Sequence, residues 1–185
     1  MDNTALQRDA AYALGYCGGR AVDAVPDLIP LLTASEVGNR PTHRIAIRSI
    51  TAITLGKIGL PASDALPDLR SMMMNDPDIN NGTTAAIAVW RISGDVTNTL
   101  PLLMKGLTDS AHRSKWHLIE ALKEMGPQAK DAVPIMLDIL STPAPLVRGR
   151  PDPKLVSVQR MIPEALAIID PATAERIEKQ TPSLE

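Results

Sequence analysis

The sequence is poor in the residues that usually fill a compact three-dimensional core. Phenylalanine is absent from the 185 residues, and only two Trp and two Tyr are present. The apolar fraction of 44% is therefore mainly aliphatic. Aromatic rings normally contribute much of a large core, whereas Ala, Leu, Ile and Met suit close contacts between helices. This composition favours helices packed on helices.

Other features are missing as well. The single Cys17 excludes an internal disulfide bond and a Cys-rich zinc site. No apolar run approaches the roughly 20 residues that span a bilayer, and the N-terminus lacks the basic and apolar regions of a secretory signal. A net charge of −2 gives no general attraction to nucleic acid or anionic membranes. We therefore expect a soluble, cytoplasmic protein, although a fragment or mature form of an exported protein would look the same.

The segment DAVPDLIPLL has three relatives further along the chain, namely DALPDLRSMM, NTLPLLMKGL and DAVPIMLDIL. Their prolines are 41, 34 and 33 residues apart and are Pro26, Pro67, Pro101 and Pro134. A proline in the first helical turn removes an N–H group that has no acceptor there. The repeat therefore predicts proline-bearing helices near 22–33, 63–74, 97–107 and 129–140.

A second set of positions repeats with the same separations. The leucine position holds Leu14, Leu55, Val89, Leu122 and Leu166, spaced by 41, 34, 33 and 44 residues. The next apolar position shifts by the same amounts and holds Cys17, Ile58, Ile92, Met125 and Ile169. Apolar residues at three- and four-residue intervals predict helices, which we call the second helices and place near 4–16, 42–57, 80–92, 110–125 and 154–169.

Glycines and loops complete the predicted pattern. Glycine, which adopts left-handed backbone at little cost, should end four of the second helices, at Gly18, Gly59, Gly94 and Gly126. Residues 34–41 and 143–153 interrupt the period and are expected to be surface loops. Pro163 should kink the last second helix, and a short helix near 171–179 should close the array.

The stretch AIRSITAITLGKIGLPASDALPDLRSMM resembles the phycobilisome lyase-type class of HEAT repeats, which is found in many bacterial proteins. The resemblance covers about 4–170 and implies an all-α fold: one domain, 1–185, forming a right-handed α-α superhelix (α-solenoid) of about five helix pairs. It also implies that the second helices line the concave side. The arginine typical of these repeats is present only as Arg48, so we expect no ladder of ion pairs between repeats; the other repeats carry Gln7, Gly82, Lys115 and Gln159.

The resemblance leaves the activity open, because such repeats serve as scaffolds, adaptors, chromophore-lyase subunits, DNA-glycosylase scaffolds and iron hydroxylases. The His-Glu pairs that an iron hydroxylase needs are absent, and we expect the three histidines at the surface. Cys17 occupies an otherwise apolar position, which predicts a small buried hydrophobe. We predict no catalytic residue, metal ligand or cofactor, and a function as a non-enzymatic scaffold that binds another protein.

The variable positions of the second helices suggest where a protein would bind. By register, several apolar side chains should lie near the solvent-exposed concave face, where an apolar stripe rimmed by charge is typical of a binding surface. Close packing of neighbouring helices could instead bury them by half; Ile50 and Met161 belong to the same set. The predicted partner-binding residues are Tyr12, Arg44, Arg48, Ile53, Ile87, Trp116, His117 and Glu120.

Two alternatives stay open, a lyase-type enzyme subunit that handles a tetrapyrrole and a DNA-binding scaffold. Arg40, Arg44 and Arg48 repeat every four residues, as a basic stripe would require. The excess of acidic residues and the scarcity of aromatic rings disfavour a nucleic acid partner. At the N-terminal end, helix 4–16 has no proline-bearing helix before it, so we expect an upstream segment or another subunit to cover it.

Overall fold

The part of the chain that the structure describes is all-α apart from one very small hairpin. The computed structural model describes residues 3–33, 47–109, 112 and 115–180. The α-helices are α1 (Asn3–Cys17), α2 (Val25–Leu28), α3 (Ile47–Ile58), α4 (Leu66–Asn75), α5 (Ile79–Ser93), α6 (Val96–Thr108), α7 (Lys115–Met125), α8 (Val133–Ser141), α9 (Pro153–Ile169) and α10 (Pro171–Gln180). 3₁₀ segments cover Gly18–Ala24, Ile29–Thr33, Leu60–Ala65 and Gly126–Ala132, and the strands are β1 (Leu146–Val147) and β2 (Arg150–Pro151).

The chain forms two compact units, the first ending at Leu103 and the second beginning at Met104. In the first unit α1 packs on α3, α3 packs on α5, and α4 packs on α5. The core between these helices is aliphatic and includes the fully buried Leu55, Leu69 and Val89. Small residues lie at these contacts, since Gly15 and Gly56 are both buried against the neighbouring helix.

In the second unit α9 is the central helix. It contacts α7, α8 and α10. Leu118, Leu122, Ile162 and Leu166 have at most 1% of their surface exposed. As in the first unit, the buried hydrophobic residues that the structure describes are all Ala, Val, Leu, Ile or Met.

Three of the four repeated prolines begin their helices as expected. Pro26, Pro67 and Pro134 lie in the first turn of α2, α4 and α8. Each of these helices directly follows a 3₁₀ segment. Pro101 instead lies inside α6, which begins at Val96. The reason is local: the Oδ1 atom of Asp95 accepts the N–H of Asn98 at 3.1 Å. This hydrogen bond caps a helix that begins five residues before the proline.

The four glycines predicted to end second helices all have positive φ angles. The values are 52° at Gly18, 77° at Gly59, 72° at Gly94 and 60° at Gly126. Non-glycine residues rarely adopt this region, so the sequence prediction of these four helix ends is confirmed. The predicted final helix is also present, as α10.

The two predicted loops have different outcomes. Residues 34–41 lie outside the described residues, as do the first residues of the predicted helices at 42 and 110. The segment 143–153 is not entirely irregular, because β1 and β2 pair in antiparallel register within it. Arg148 and Gly149 both have positive φ, at 53° and 76°, which is the turn type that matches the twist of a two-residue hairpin. Helix α9 runs through Pro163 as one continuous element.

The leucine position is buried in four second helices. Leu55, Val89, Leu122 and Leu166 have no exposed surface, whereas Leu14 is half-buried. The next apolar position diverges more strongly, and here one prediction was wrong: Cys17 is exposed. The prediction took its burial from the equivalent residues, but the side of α1 that carries Cys17 has no helix packed on it among the described residues.

Candidate protein-binding surface

An exposed pair of tyrosines lies on α1. Tyr12 and Tyr16 are 53% and 68% exposed, and their rings meet edge to face with centroids 5.1 Å apart. Their hydroxyl groups share a hydrogen bond of 2.6 Å. This hydrogen bond raises the pKa of Tyr16 above its usual value, because ionising Tyr16 would remove the shared proton.

Lys57 of α3 extends the tyrosine pair. Its Nζ atom lies 5.2 Å from the centroid of the Tyr16 ring, within the range of a cation–π interaction. We call Tyr12, Tyr16, Ile53 and Lys57 the tyrosine face. Ile53, one helix away from the equivalent Tyr12, is half-buried. Sequence analysis found Tyr12 and Ile53 but missed Tyr16 and Lys57, although each follows a predicted residue by four positions, one helical turn.

Small residues set the spacing between the helices of this face. Thr54 on α3 donates a hydrogen bond of 2.8 Å from Oγ1 to the carbonyl oxygen of Ala11 on α1. A methyl group on Gly15 would lie 3.0 Å from the same Oγ1 atom. Glycine therefore lets the two helices approach closely enough for Lys57 to reach Tyr16.

The other predicted residues of the first unit are placed differently. Ile87 on α5 is half-buried, so it offers part of its side chain to solvent as Ile53 does. Ile50, expected near the exposed face, is only 7% exposed. Its helix, α3, has α1 on one side and α5 on the other, which buries this position. Arg44 lies outside the described residues.

Arg48 takes part in an internal ion pair. Its Nη1 atom lies 2.8 Å from Oδ2 of Asp76, whose side chain is 1% exposed. The side-chain amide nitrogen Nδ2 of Asn81 donates a hydrogen bond of 3.2 Å to the same carboxylate. The Nε atom of Arg48 is buried and has no hydrogen-bond partner among the described residues. The charge of Arg48 is thus largely neutralised by Asp76, the residue that follows α4.

Gln159, which is equivalent to Arg48 in the repeat register, makes a comparable contact without charge. Gln159 donates to the carbonyl oxygens of Ile139 at 2.9 Å and Thr142 at 2.6 Å. Thr142 follows α8 as Asp76 follows α4. The side chains at positions 48 and 159 therefore both hold the end of a proline-bearing helix, one through an ion pair and one through an amide.

Lys115 is also equivalent to Arg48 in the repeat register. Burial lowers its pKa, and the opposing attraction of Asp109, which follows α6, only partly offsets this effect. Desolvation therefore dominates at this lysine.

The predicted residues of the second unit lie on α7. Trp116 is 47% exposed, and its ring stacks on the ring of His117 with a centroid distance of 3.5 Å. Glu120 and its equivalent on α9, Glu164, both contact Lys123, at 3.3 and 3.1 Å. These contacts raise the pKa of Lys123, the one to Glu164 most strongly.

The prediction that the histidines are surface residues is wrong for His112, which is 9% exposed. It lies between α6 and α7 along the chain. His117 is half-buried and His43 lies outside the described residues. Among the residues that the structure describes, no group of three His, Cys, Asp or Glu side chains could hold a metal ion.

A cleft of about 260 Å³ lies beside the Arg48–Asp76 pair. Asp68, Ser71 and Asn75 of α4 line it together with Arg48 and Asp76. It contains no nucleophile–base pair of the kind that hydrolases and transferases use.

No protein-family model matches this sequence, and neither a curated protein nor a solved structure matches it. No helix in the described part of the chain is both long and apolar enough to cross a membrane.

Proposed function

We propose that this protein is an α-solenoid of HEAT-like repeats that binds another protein through the exposed side of its second helices. The observation that carries the proposal is the location of its aromatic residues. Tyr12, Tyr16 and Trp116 are 53%, 68% and 47% exposed, in a chain whose described core is aliphatic. Aromatic side chains are enriched at binding surfaces and dominate their energetics, so exposed rings in a chain with so few are best explained by a partner.

The solenoid part of the proposal is supported by the repeat register. Leu55 and Val89 are equivalent and both are fully buried, and so are Leu122 and Leu166. Within each unit the helices that carry these pairs pack on each other, α3 on α5 and α7 on α9. Stacked repeats bury equivalent positions in this way, since each repeat contacts only its neighbours.

The tyrosine face is the part of the surface best organised for binding. The shared hydrogen bond and the Lys57 contact hold the two rings in one arrangement before a partner arrives. A side chain that is already ordered loses less conformational entropy on binding. Ile53 adds apolar area beside the rings, and Trp116 offers a second aromatic anchor in the second unit.

Site-specific photo-crosslinking in the native host tests the proposal. A photoreactive phenylalanine analogue replaces Tyr16 in one variant and Met74, which is 77% exposed on α4, in a matched control. We expect a defined protein to be crosslinked from position 16 and not from position 74. Equal crosslinking from both positions would show non-specific association with other proteins and would contradict the proposal.

The purified partner then allows a quantitative test. We expect Tyr12→Ala, Tyr16→Ala or Trp116→Ala to weaken binding by about tenfold or more, as truncation of an aromatic anchor usually does. Leu60→Ala, which changes a 72% exposed apolar residue outside the tyrosine face, is the control. Unchanged affinity in all three aromatic variants, with folding intact by circular dichroism, would refute the assignment of the surface.

A further inference from the structure

The three second helices of the first unit present a row of apolar side chains to solvent. Helix α3 lies between α1 and α5 and packs on both, so equivalent residues of the three helices are neighbours across the surface. The residue at one of these positions keeps part of its side chain exposed in all three helices. We call this set the apolar row; it consists of Tyr12, Ile53 and Ile87.

A second row lies one helical turn further along the same three helices. We call it the basic row; it consists of Tyr16, Lys57 and Arg91. The Cδ atom of Lys57 lies 3.7 Å from the place that a methyl group on Gly15 would take. The Cδ atom of Arg91 lies at the same distance, 3.7 Å, from the corresponding place at Gly56. In both pairs the glycine of one helix therefore leaves room for the stem of the cation on the next.

The helices that carry the two rows contain almost no negative charge. Only one acidic residue, Asp9, lies within α1, α3 and α5. Its carboxylate lies 2.7 Å from Arg8 of the same helix, so these two charges offset each other. Lys57 is exposed and has no carboxylate within ion-pair distance among the described residues. The positive charge of Lys57 is therefore available to a partner.

The tyrosine pair adds a hydrogen-bond donor to the same surface. Either Tyr12 or Tyr16 donates the hydrogen bond of 2.6 Å between their hydroxyl groups, so the hydroxyl group that accepts it keeps its own hydrogen for another acceptor. The ammonium group of Lys57 has three N–H donors, and its contact with the ring of Tyr16 does not use them all. Both groups favour an acceptor with negative charge, because hydrogen bonds to a carboxylate are stronger than those to a neutral acceptor.

We propose that the two rows bind an acidic segment of the partner protein, with Asp or Glu side chains on the basic row and apolar side chains on the apolar row. The inference rests on the function proposed above and adds the chemistry of the partner. Two cations beside an apolar row suit a peptide better than a nucleic acid, because binding to a phosphate backbone depends on neutralising several phosphates.

Selection from a random peptide library displayed on phage tests this inference. We expect the peptides selected on the wild-type protein to be enriched in Asp and Glu, together with apolar residues, relative to the unselected library. Selection on Lys57→Glu should remove the acidic enrichment. Lys130→Glu changes an exposed lysine outside both rows and is the matched control, which should retain it. Selected peptides without an excess of acidic residues, or with the same excess on Lys57→Glu, would overturn the inference.

Fluorescence anisotropy of one selected peptide measures the contribution of the charge. We expect Lys57→Glu to weaken binding by about tenfold or more, because like charges would then face each other, and Lys57→Gln to weaken it less. Added salt should weaken binding to the wild type more than to Lys57→Gln, since ions screen an exposed charge pair. Circular dichroism checks folding, and Lys57→Gln replaces Lys57→Glu if the latter proves misfolded. Equal affinity in all three proteins would contradict the inference.

Further outcomes separate this inference from the function proposed above. If position 16 crosslinks a defined protein whose binding is unchanged in Lys57→Glu, the proposed function stands and the acidic partner is wrong. If no protein is crosslinked from position 16, the proposed function fails and this inference fails with it. If single-stranded DNA of random sequence binds the wild type, loses affinity in Lys57→Glu and the selected peptides do not bind, the surface binds nucleic acid and the inference is wrong.

Discussion

The Oγ1 atom of Thr54 donates a 2.8 Å hydrogen bond to the backbone carbonyl of Ala11, on the neighbouring helix. A side chain reaches the backbone of another helix only where the two are very close, and the closeness here depends on Gly15. The next pair of helices repeats the arrangement with Gly56 and Ala88. Small residues therefore determine how the helices of the first unit are spaced.

We predict that Gly56→Ala destabilises the protein. The added methyl group would lie 3.0 Å from Cα of Ala88, and overpacking of this kind costs about 1–3 kcal/mol. Gly19→Ala is the matched control, because its methyl group would have nothing closer than 3.9 Å. Urea denaturation measures both, and equal stability of the two variants would contradict the close contact.

We predict that Leu55→Ala lowers the free energy of unfolding by about 2–5 kcal/mol, since the leucine is fully buried and its loss leaves a cavity. Leu60→Ala removes the same atoms from a residue that is 72% exposed. The free energy of unfolding of this control should stay within about 0.5 kcal/mol of the wild-type value. A small effect at Leu55 would mean that the repeated leucine position is not part of a packed core.

We predict that Arg48→Met is more destabilising than Arg70→Met. Arg48 contacts an Asp76 side chain that is only 1% exposed, whereas Arg70 is 49% exposed and 3.9 Å from Asp95. Loss of a hydrogen bond to a buried charge costs about 1.5–3 kcal/mol, while an exposed pair contributes about 0–1 kcal/mol. Thermal unfolding compares the two, and equal melting temperatures would show that Asp76 does not need its arginine.

Asp95 should make stability depend on pH in acid. Hydrogen bonds from the side chain and backbone of Asn98 lower the pKa of Asp95, and Arg70 adds to this effect. A lowered pKa in the folded state means that the stabilisation is present above the unfolded pKa and is lost as the pH falls through the folded pKa. Asp95→Ala should therefore cost about 0.5–2 kcal/mol at neutral pH, and the difference from wild type should shrink in acid.

Asp95→Asn is the matched variant for this experiment, because asparagine caps helices about as well as aspartate. It should keep most of the neutral-pH stability and lose the dependence on acid that comes from this carboxylate. Denaturation curves over a pH series measure all three proteins. A constant difference between Asp95→Ala and wild type down to low pH would show that the carboxylate charge does not contribute.

The tyrosine pair gives a spectroscopic prediction. The hydrogen bond to Tyr12 raises the pKa of Tyr16, so Tyr12→Phe should return that pKa toward the ordinary value. The ultraviolet absorbance of tyrosinate, followed during an alkaline titration, reports the change. Lys57→Met keeps the hydrogen bond. The pKa of Tyr16 should therefore be higher in Lys57→Met than in Tyr12→Phe.

The features predicted correctly from the sequence are those with a local cause. Pro26, Pro67 and Pro134 begin helices because proline lacks an N–H group, and Gly59 and Gly94 end them because they adopt positive φ. The predictions for Cys17, His112 and Ile50 failed for another reason. Cys17 was expected to be buried, and His112 and Ile50 were expected to be exposed, but the exposure of each depends on which neighbouring segment covers it.

The candidate surface likewise contains residues that the sequence predicted and contacts that it could not predict. Repeat register identified Tyr12, Ile53, Ile87 and Trp116, and each keeps part of its side chain exposed. Register could not identify Lys57 as a contact of Tyr16, because that contact depends on how closely α1 and α3 approach. Nor did it indicate that Arg48 is held by Asp76, which lies 28 residues further along the chain.

By itself the sequence determined that the chain is helical, where most helices begin and end, and which leucine-type positions form the core. These properties follow from the helical period and from the backbone preferences of proline and glycine, which act within a few residues. The tertiary structure alone decided that Tyr12, Tyr16 and Lys57 form one exposed group and that Cys17 is exposed. Both depend on the distance and presence of neighbouring helices, which no local pattern encodes.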